Sequence, residues 1–177
     1  MARVVPGLRF APRRGSYLPV LMKAVELTTG PILELGCGLY STNPLHWACF
    51  VAKRRIVTYE NNPAYHKFLK AYQCDFHEVH CIERWADIDI SEPWSVAFVD
   101  HSPGPEEPED SRWQEAIRLQ HAEYVVMHDT ETRNESSHRL SKIARRFKYQ
   151  FAWRDTIPNT TVYSNVHDVS NFLANGK

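Results

Sequence analysis

The stretch Glu34-Leu35-Gly36-Cys37-Gly38-Leu39-Tyr40-Ser41 closes a short apolar run, residues 32–35, with two glycines at the point where a strand should give way to a helix. Glycines at such a turn bend the backbone sharply and let a ligand approach without side-chain obstruction. Glu60 ends the next apolar run, residues 55–60, with Asn61 beside it. A carboxylate there can accept both hydroxyls of a ribose, each charge-assisted hydrogen bond contributing about 1.5–3 kcal/mol. Asp100 and His101 close the run SVAFVD, and His128 and Asp129 close residues 124–127. Each of these four could take a proton from a hydroxyl nucleophile or orient the group that does. Asp100 and Asp129 are the preferred pair; the two histidines could equally be hydrogen-bonded strand-end residues.

The elements that position these residues follow from periodicity. Leu18, Leu21, Met22 and Val25 are spaced as one face of a helix, which Gly30-Pro31 stops. Residues 32–35 read as a buried parallel strand. A helix then starts with Asn43 as cap and Pro44 in the first turn, its buried face Leu45, Ala48, Cys49 and Ala52. Asn62-Pro63 restarts a helix with the face Tyr65, Phe68, Leu69 and Tyr72. Residues 76–82 form a weaker third strand, and 95–100 and 124–127 a fourth and fifth. Ser111 and Gln114 make a capping-box pair before a helix carrying Trp113, Ala116 and Ile117. Leu140, Ile143, Ala144 and Phe147 mark a last helix. Residues 149–153 and 160–163 are separated only by a Pro158-Asn159 turn, so they must run antiparallel.

The pattern predicts an α/β fold: a doubly wound, mostly parallel sheet of about seven strands, helices on both faces, and a C-terminal antiparallel hairpin. Ligands in such sheets bind beyond the carboxyl ends of the strands, where strand order reverses. A dinucleotide site would want a third glycine at the sixth place of the loop, where Ser41 stands. The pattern acidic-x-Gly-x-Gly-x-x-Ser after the first strand resembles motif I of class I S-adenosylmethionine-dependent methyltransferases. The resemblance implies S-adenosylmethionine as cofactor. It places Glu34, Gly36, Cys37, Gly38 and Ser41 in the cofactor loop, with Glu60 and Asn61 at the ribose. It also implies adenine contacts beyond the third strand, at Ile82, Glu83 and Trp85, and cofactor- or substrate-facing roles for Asp100 and His101.

The sequence Phe98-Val99-Asp100-His101 with a later Asp129 also looks like metal-dependent catechol-type O-methyltransferases, where aspartates and a following asparagine hold a divalent ion that lowers the pKa of the substrate hydroxyl. Two departures weigh against a metal here: Thr130 stands in the asparagine's place, and no lysine follows Asp100. A divalent ion is therefore not favoured, and pairing of the two aspartates with arginines or helix ends is the rival reading. The expected activity is methyl transfer to a small molecule at oxygen. The alternatives are a nicotinamide-dependent oxidoreductase, a transfer of another group such as aminopropyl, and a binding protein without catalysis.

Other signals are weaker. The segment 102–110 (SPGPEEPED) cannot join a sheet and suits a lid over the crevice rim, its acids favouring a cationic or neutral substrate. Cys74, His77, His80 and Cys81 are spaced like zinc ligands, but on a strand His77 and Cys81 face opposite to His80, against one tetrahedral site. The 177 residues suit one domain: a loosely packed segment 1–15, a body 16–166, and a polar tail 167–177. Hydrophobic residues at 43% and charged residues at 24% are globular values, and 21 basic residues balance 21 acidic ones, which disfavours nucleic acid as partner. No apolar stretch is long enough for a membrane span, and residues 1–14 lack the apolar core of a signal peptide. Four unpaired cysteines fit the reducing cytoplasm.

Overall fold

The computed structural model describes residues 12–103 and 112–173. Its seven strands are β1 (Ile32–Leu35), β2 (Ile56–Glu60), β3 (His77–Cys81), β4 (Val96–Val99), β5 (Tyr124–His128), β6 (Tyr149–Trp153) and β7 (Thr160–Ser164). They form one sheet in the order β3-β2-β1-β4-β5-β7-β6. The first five strands are parallel, and β7 runs antiparallel to both β5 and β6. The chain reverses its direction of travel across the sheet between β1 and β4, which makes their carboxyl ends the switch point where a ligand is received. Gly36 N–H donates to the Tyr59 carbonyl and Asp100 N–H to that of Leu35, so the carboxyl ends of β2, β1 and β4 stay level.

The helices are α1 (Leu18–Glu26), α2 (Thr42–Ala52), α3 (Pro63–Leu69), α4 (Arg112–Arg118), α5 (Glu135–His138) and α6 (Leu140–Ala144). One face of the sheet packs Ile32, Ile56, Phe98 and Val126 against Val20, Leu21 and Ala24 of α1 and Leu45 and Cys49 of α2. The other packs Leu33, Val99 and Met127 against Ala116 of α4 and Ile143 of α6. Between β3 and β4 there is no long helix. A 3-10 turn (Trp85–Asp87) leads into extended chain, and Trp85 and Trp94 supply the volume a helix would otherwise fill.

Local differences from the sequence expectations have physical causes. Helix α2 begins at Thr42 rather than after an Asn43 cap, because the Thr42 hydroxyl accepts Gly38 N–H and donates to Glu34. Asn62 does cap α3, accepting Ala64 N–H at 2.9 Å, but of the apolar stripe on that helix only Leu69 is buried. The segment read as a polar tail carries Val169 and Phe172, both buried, with Phe172 packed against Tyr124 and Phe151. Ser111 of the expected capping box lies outside the described residues.

Candidate functional site

The two loop glycines do different work. Gly36 has φ +85°, and a Cβ there would sit 2.6–2.8 Å from backbone atoms of Asp100 and His101. The turn after β1 is thus pressed against the turn after β4, a fit that admits no side chain. A Cβ on Gly38 would meet only Ser41 Oγ at 3.8 Å, so its outer side is open. It opens onto a cavity of about 1260 Å³ over the carboxyl ends of β1, β2, β4 and β5.

Glu60 anchors the cavity floor. One carboxylate oxygen accepts Cys37 N–H at 2.9 Å and the other accepts Asn62 N–H at 2.7 Å. Each oxygen keeps a lone pair free for a further donor. Cys37, on the same bond, has its thiol pKa driven up by burial and by the adjacent Glu60 charge. Asn61 reaches from the end of β2 to the Ser102 carbonyl at 3.0 Å, tying that wall to the turn after β4. Tyr65 and Phe68, from the apolar face of α3, are cavity wall.

Under the glycine loop runs a closed relay of hydrogen bonds. Glu34 is fully buried and accepts hydrogen bonds from the hydroxyls of Thr42 at 3.0 Å and Thr58 at 2.8 Å. Since the single Thr58 proton goes to Glu34, its oxygen accepts from His77 Nε2 at 2.8 Å. His77 Nδ1 then accepts from His46 Nδ1 at 2.9 Å, an assignment that follows from the proton count. Burial raises the Glu34 carboxyl to about 7 against the hydroxyls that lower it, and burial drops His77 to about 4. His80 lies on the opposite face of β3, stacked on Tyr59, so the zinc-like spacing is split between faces.

At the ends of β4 and β5 the carboxylates are bridged by a cation. Arg112, nearly buried at the start of α4, has Nη1 3.0 Å from Asp129 and 3.4 Å from Asp100, while Nε donates to the His101 carbonyl. Asp129 sits in the left-handed region at φ +59°, which turns its carboxylate back toward the guanidinium. His128 Nδ1 is 3.1 Å from Asp100, and its Nε2 is 3.0 Å from Ser16 Oγ. Asp100, His128 and Asp129 offer ligand atoms within 4.8 Å of one another, a spacing a metal ion could use. The guanidinium among them already supplies the countercharge, so these residues do not fit a divalent ion as arranged.

Among the residues singled out in the sequence, Gly36, Cys37, Gly38, Glu60, Asn61, Asp100 and Asp129 meet at this cavity. Glu34 and Ser41 lie beneath the loop, and Glu83 is exposed away from it. Trp85 is fully buried core, its Nε1 donating to the Ser102 carbonyl, so it offers no platform for an adenine. The His101 ring is also wholly buried, beside Trp85 and 3.4 Å from Glu115; only its backbone reaches the cavity. Tyr17, Arg112 and Arg133 line the cavity and carried no sequence signal.

No family model and no curated protein matches the chain. Solved structures do. Cofactor-bound Rv0187 from MTB matches 92% of this chain and 84% of its own, at 18% identity and a TM-score of 0.61. The chain has the class I methyltransferase fold. Human methyltransferase-like protein 13 in complex with SAH aligns over 89% of this chain and 83% of its own, at 16% identity and a TM-score of 0.58. A putative O-methyltransferase from Klebsiella pneumoniae gives 92%, 84%, 15% and 0.58 on the same measures. At these identities the likeness is one of methyltransferase architecture.

Proposed function

We propose that this chain transfers a methyl group from S-adenosylmethionine to a small-molecule acceptor, at oxygen. The observation that carries the reading is Glu60, set beneath the Gly36–Gly38 turn by its bond to Cys37 N–H and facing an open cavity at the switch point of the sheet. The residues fit the cofactor: Gly38 leaves room beside the sheet, and Glu60 retains acceptor capacity for the ribose hydroxyls. When bound, S-adenosylmethionine supplies an electrophilic methyl carbon.

The protein's share of catalysis is then positioning and proton removal. Asp100 accepts from His128 Nδ1 at 3.1 Å, and Ser16 Oγ, which donates to the Pro158 carbonyl at 2.8 Å, lies 3.0 Å from His128 Nε2 and steadies the ring. The Asp100 carboxylate, so held, is the base suited to take the proton of an acceptor hydroxyl. Arg112 holds Asp100 and Asp129 in place. Asp129 orients the acceptor alongside Asp100.

Calorimetric titration with S-adenosylhomocysteine tests the cofactor assignment. Wild-type protein binds it in preference to NAD(H), and Glu60→Ala weakens binding at least tenfold, about 1.4 kcal/mol. Unchanged affinity removes Glu60 from the site, and preference for NAD(H) replaces the reading with a nicotinamide enzyme.

A further inference from the structure

The same cavity is lined by arginines as well as carboxylates. Its described lining holds Arg13, Arg14, Arg112 and Arg133 against Glu60, Asp100 and Asp129. All three carboxylates already have partners. Glu60 takes two backbone N–H groups, and Asp100 and Asp129 share Arg112. Arg133 is paired with Glu131 at 3.1 Å while 71% of its side chain stays exposed. Arg13 and Arg14 are exposed at the cavity, and among the described residues no carboxylate meets either.

These two arginines sit on a fixed mount. They belong to a 3-10 turn (Pro12–Gly15) whose next residue, Ser16, is stapled to the β6–β7 connection: Ser16 Oγ donates to the Pro158 carbonyl and Thr156 Oγ1 donates to the Ser16 carbonyl at 3.1 Å. On the other side Gly15 is so close to the glycine loop that a Cβ would lie 3.2 Å from the Tyr40 ring. Ser16 also meets His128, the partner of Asp100. The turn bearing both guanidinium groups is therefore wired, through His128, to the carboxylate that would take the acceptor's proton. Two guanidinium forks that meet no carboxylate among the described residues, held at the wall of a cavity, suit the planar oxygens of a carboxylate or phosphate.

We infer that the methyl acceptor is an anion, a carboxylate- or phosphate-bearing molecule gripped by Arg13 and Arg14 while its hydroxyl lies at Asp100 and His128. This rests on the methyltransferase reading and names the substrate class of its site. It reverses the expectation drawn from the acidic segment 102–110, of which residues 104–110 lie outside the described residues. The arginines would also steer an anion toward the cavity, a contribution that salt screens.

The test uses the full chain loaded with S-adenosylhomocysteine and titrated with 4-hydroxybenzoate, phenyl phosphate and the neutral 4-hydroxybenzamide. At least one anion binds tenfold or more tightly than the amide, and the preference weakens as salt is added. Arg13→Gln/Arg14→Gln abolishes that preference, Arg13→Lys/Arg14→Lys keeps part of it, and the affinity for S-adenosylhomocysteine is unchanged in both. No preference for either anion in the wild type overturns the inference. So does a parallel loss of S-adenosylhomocysteine binding in the glutamine variant, which would assign the arginines to the carboxylate of the cofactor. Failure of the wild type to bind S-adenosylhomocysteine at all sinks the methyltransferase reading instead, and is seen before any anion is added.

Discussion

The floor beneath Gly36–Gly38 and the wall at Asp100 and Asp129 both gather carboxylates, yet they satisfy them by opposite means. Glu34 and Glu60 are met by hydroxyls and backbone N–H groups, with no cation bonded to either among the described residues. Asp100 and Asp129 are met by a guanidinium. Neutral donors fix a loop's geometry through short, directional bonds and leave the acceptor's spare lone pairs in place. A shared arginine cancels charge and excludes a competing metal ion, but it can be displaced by a change at one residue. The first wall is a scaffold, and the second is an adjustable electrostatic site.

The strongest way to break the scaffold is Gly36→Ala. The added Cβ meets backbone of Asp100 and His101 at under 3 Å, and the φ of +85° is one an alanine rarely adopts. We expect a loss of about 4 kcal/mol or more in stability by denaturant unfolding, with loss of S-adenosylhomocysteine binding. An alanine variant of native stability would show that the two turns are not pressed together.

Arg112→Ala probes the other wall. Removing the guanidinium leaves Asp100 and Asp129 repelling each other, at a cost of about 3 kcal/mol for a largely buried partner. The same variant should gain thermal stability from added magnesium or manganese, because Asp100, His128 and Asp129 can then close on an ion. Wild-type protein should show no such gain. A wild type stabilised by these ions would erase the contrast between the two walls.

How far each region was legible in the sequence follows the same division. The scaffold's carboxylates stand at strand ends and beside a glycine turn, where spacing alone assigns them: Glu34, Gly36, Gly38 and Glu60 fall within two consecutive strand-loop units. Alternation of apolar runs likewise gave the succession of strands along the chain and the antiparallel C-terminal hairpin with its one reversed strand, though not the order of strands in the sheet. The arginine wall depends on a helix start, Arg112, reached across a proline-rich segment, and on Arg13 and Arg14 at an N-terminal turn. No periodicity marks such residues, because their positions are set by tertiary packing. Trp85 and His101 misled for the converse reason. Residues near a strand's carboxyl end can point into the core as readily as into the crevice, and the short connection from β3 to β4 needed the indole volume.

The smallest effect concerns the relay under the loop. The folded state holds the Glu34 proton up to about 7, whereas the unfolded chain loses it near the ordinary 4.5, so unfolding releases a proton between those values. Stability is therefore greatest below the unfolded pKa and declines as pH rises through the folded one. His77 has the opposite sign: held neutral down to about 4, it adds stability above its ordinary 6.5 that is lost as pH falls toward 4. The two slopes oppose each other in wild-type protein, and Glu34→Gln removes only the first. Comparing wild type with the variant by unfolding at each pH isolates it. The stability of the wild type relative to the variant should fall by about 2 kcal/mol between roughly pH 5 and pH 7. A constant difference across that window would mean that Glu34 is ionised in the fold, held by Thr42 and Thr58 as an anion. The relay would then be a charged support for the glycine loop.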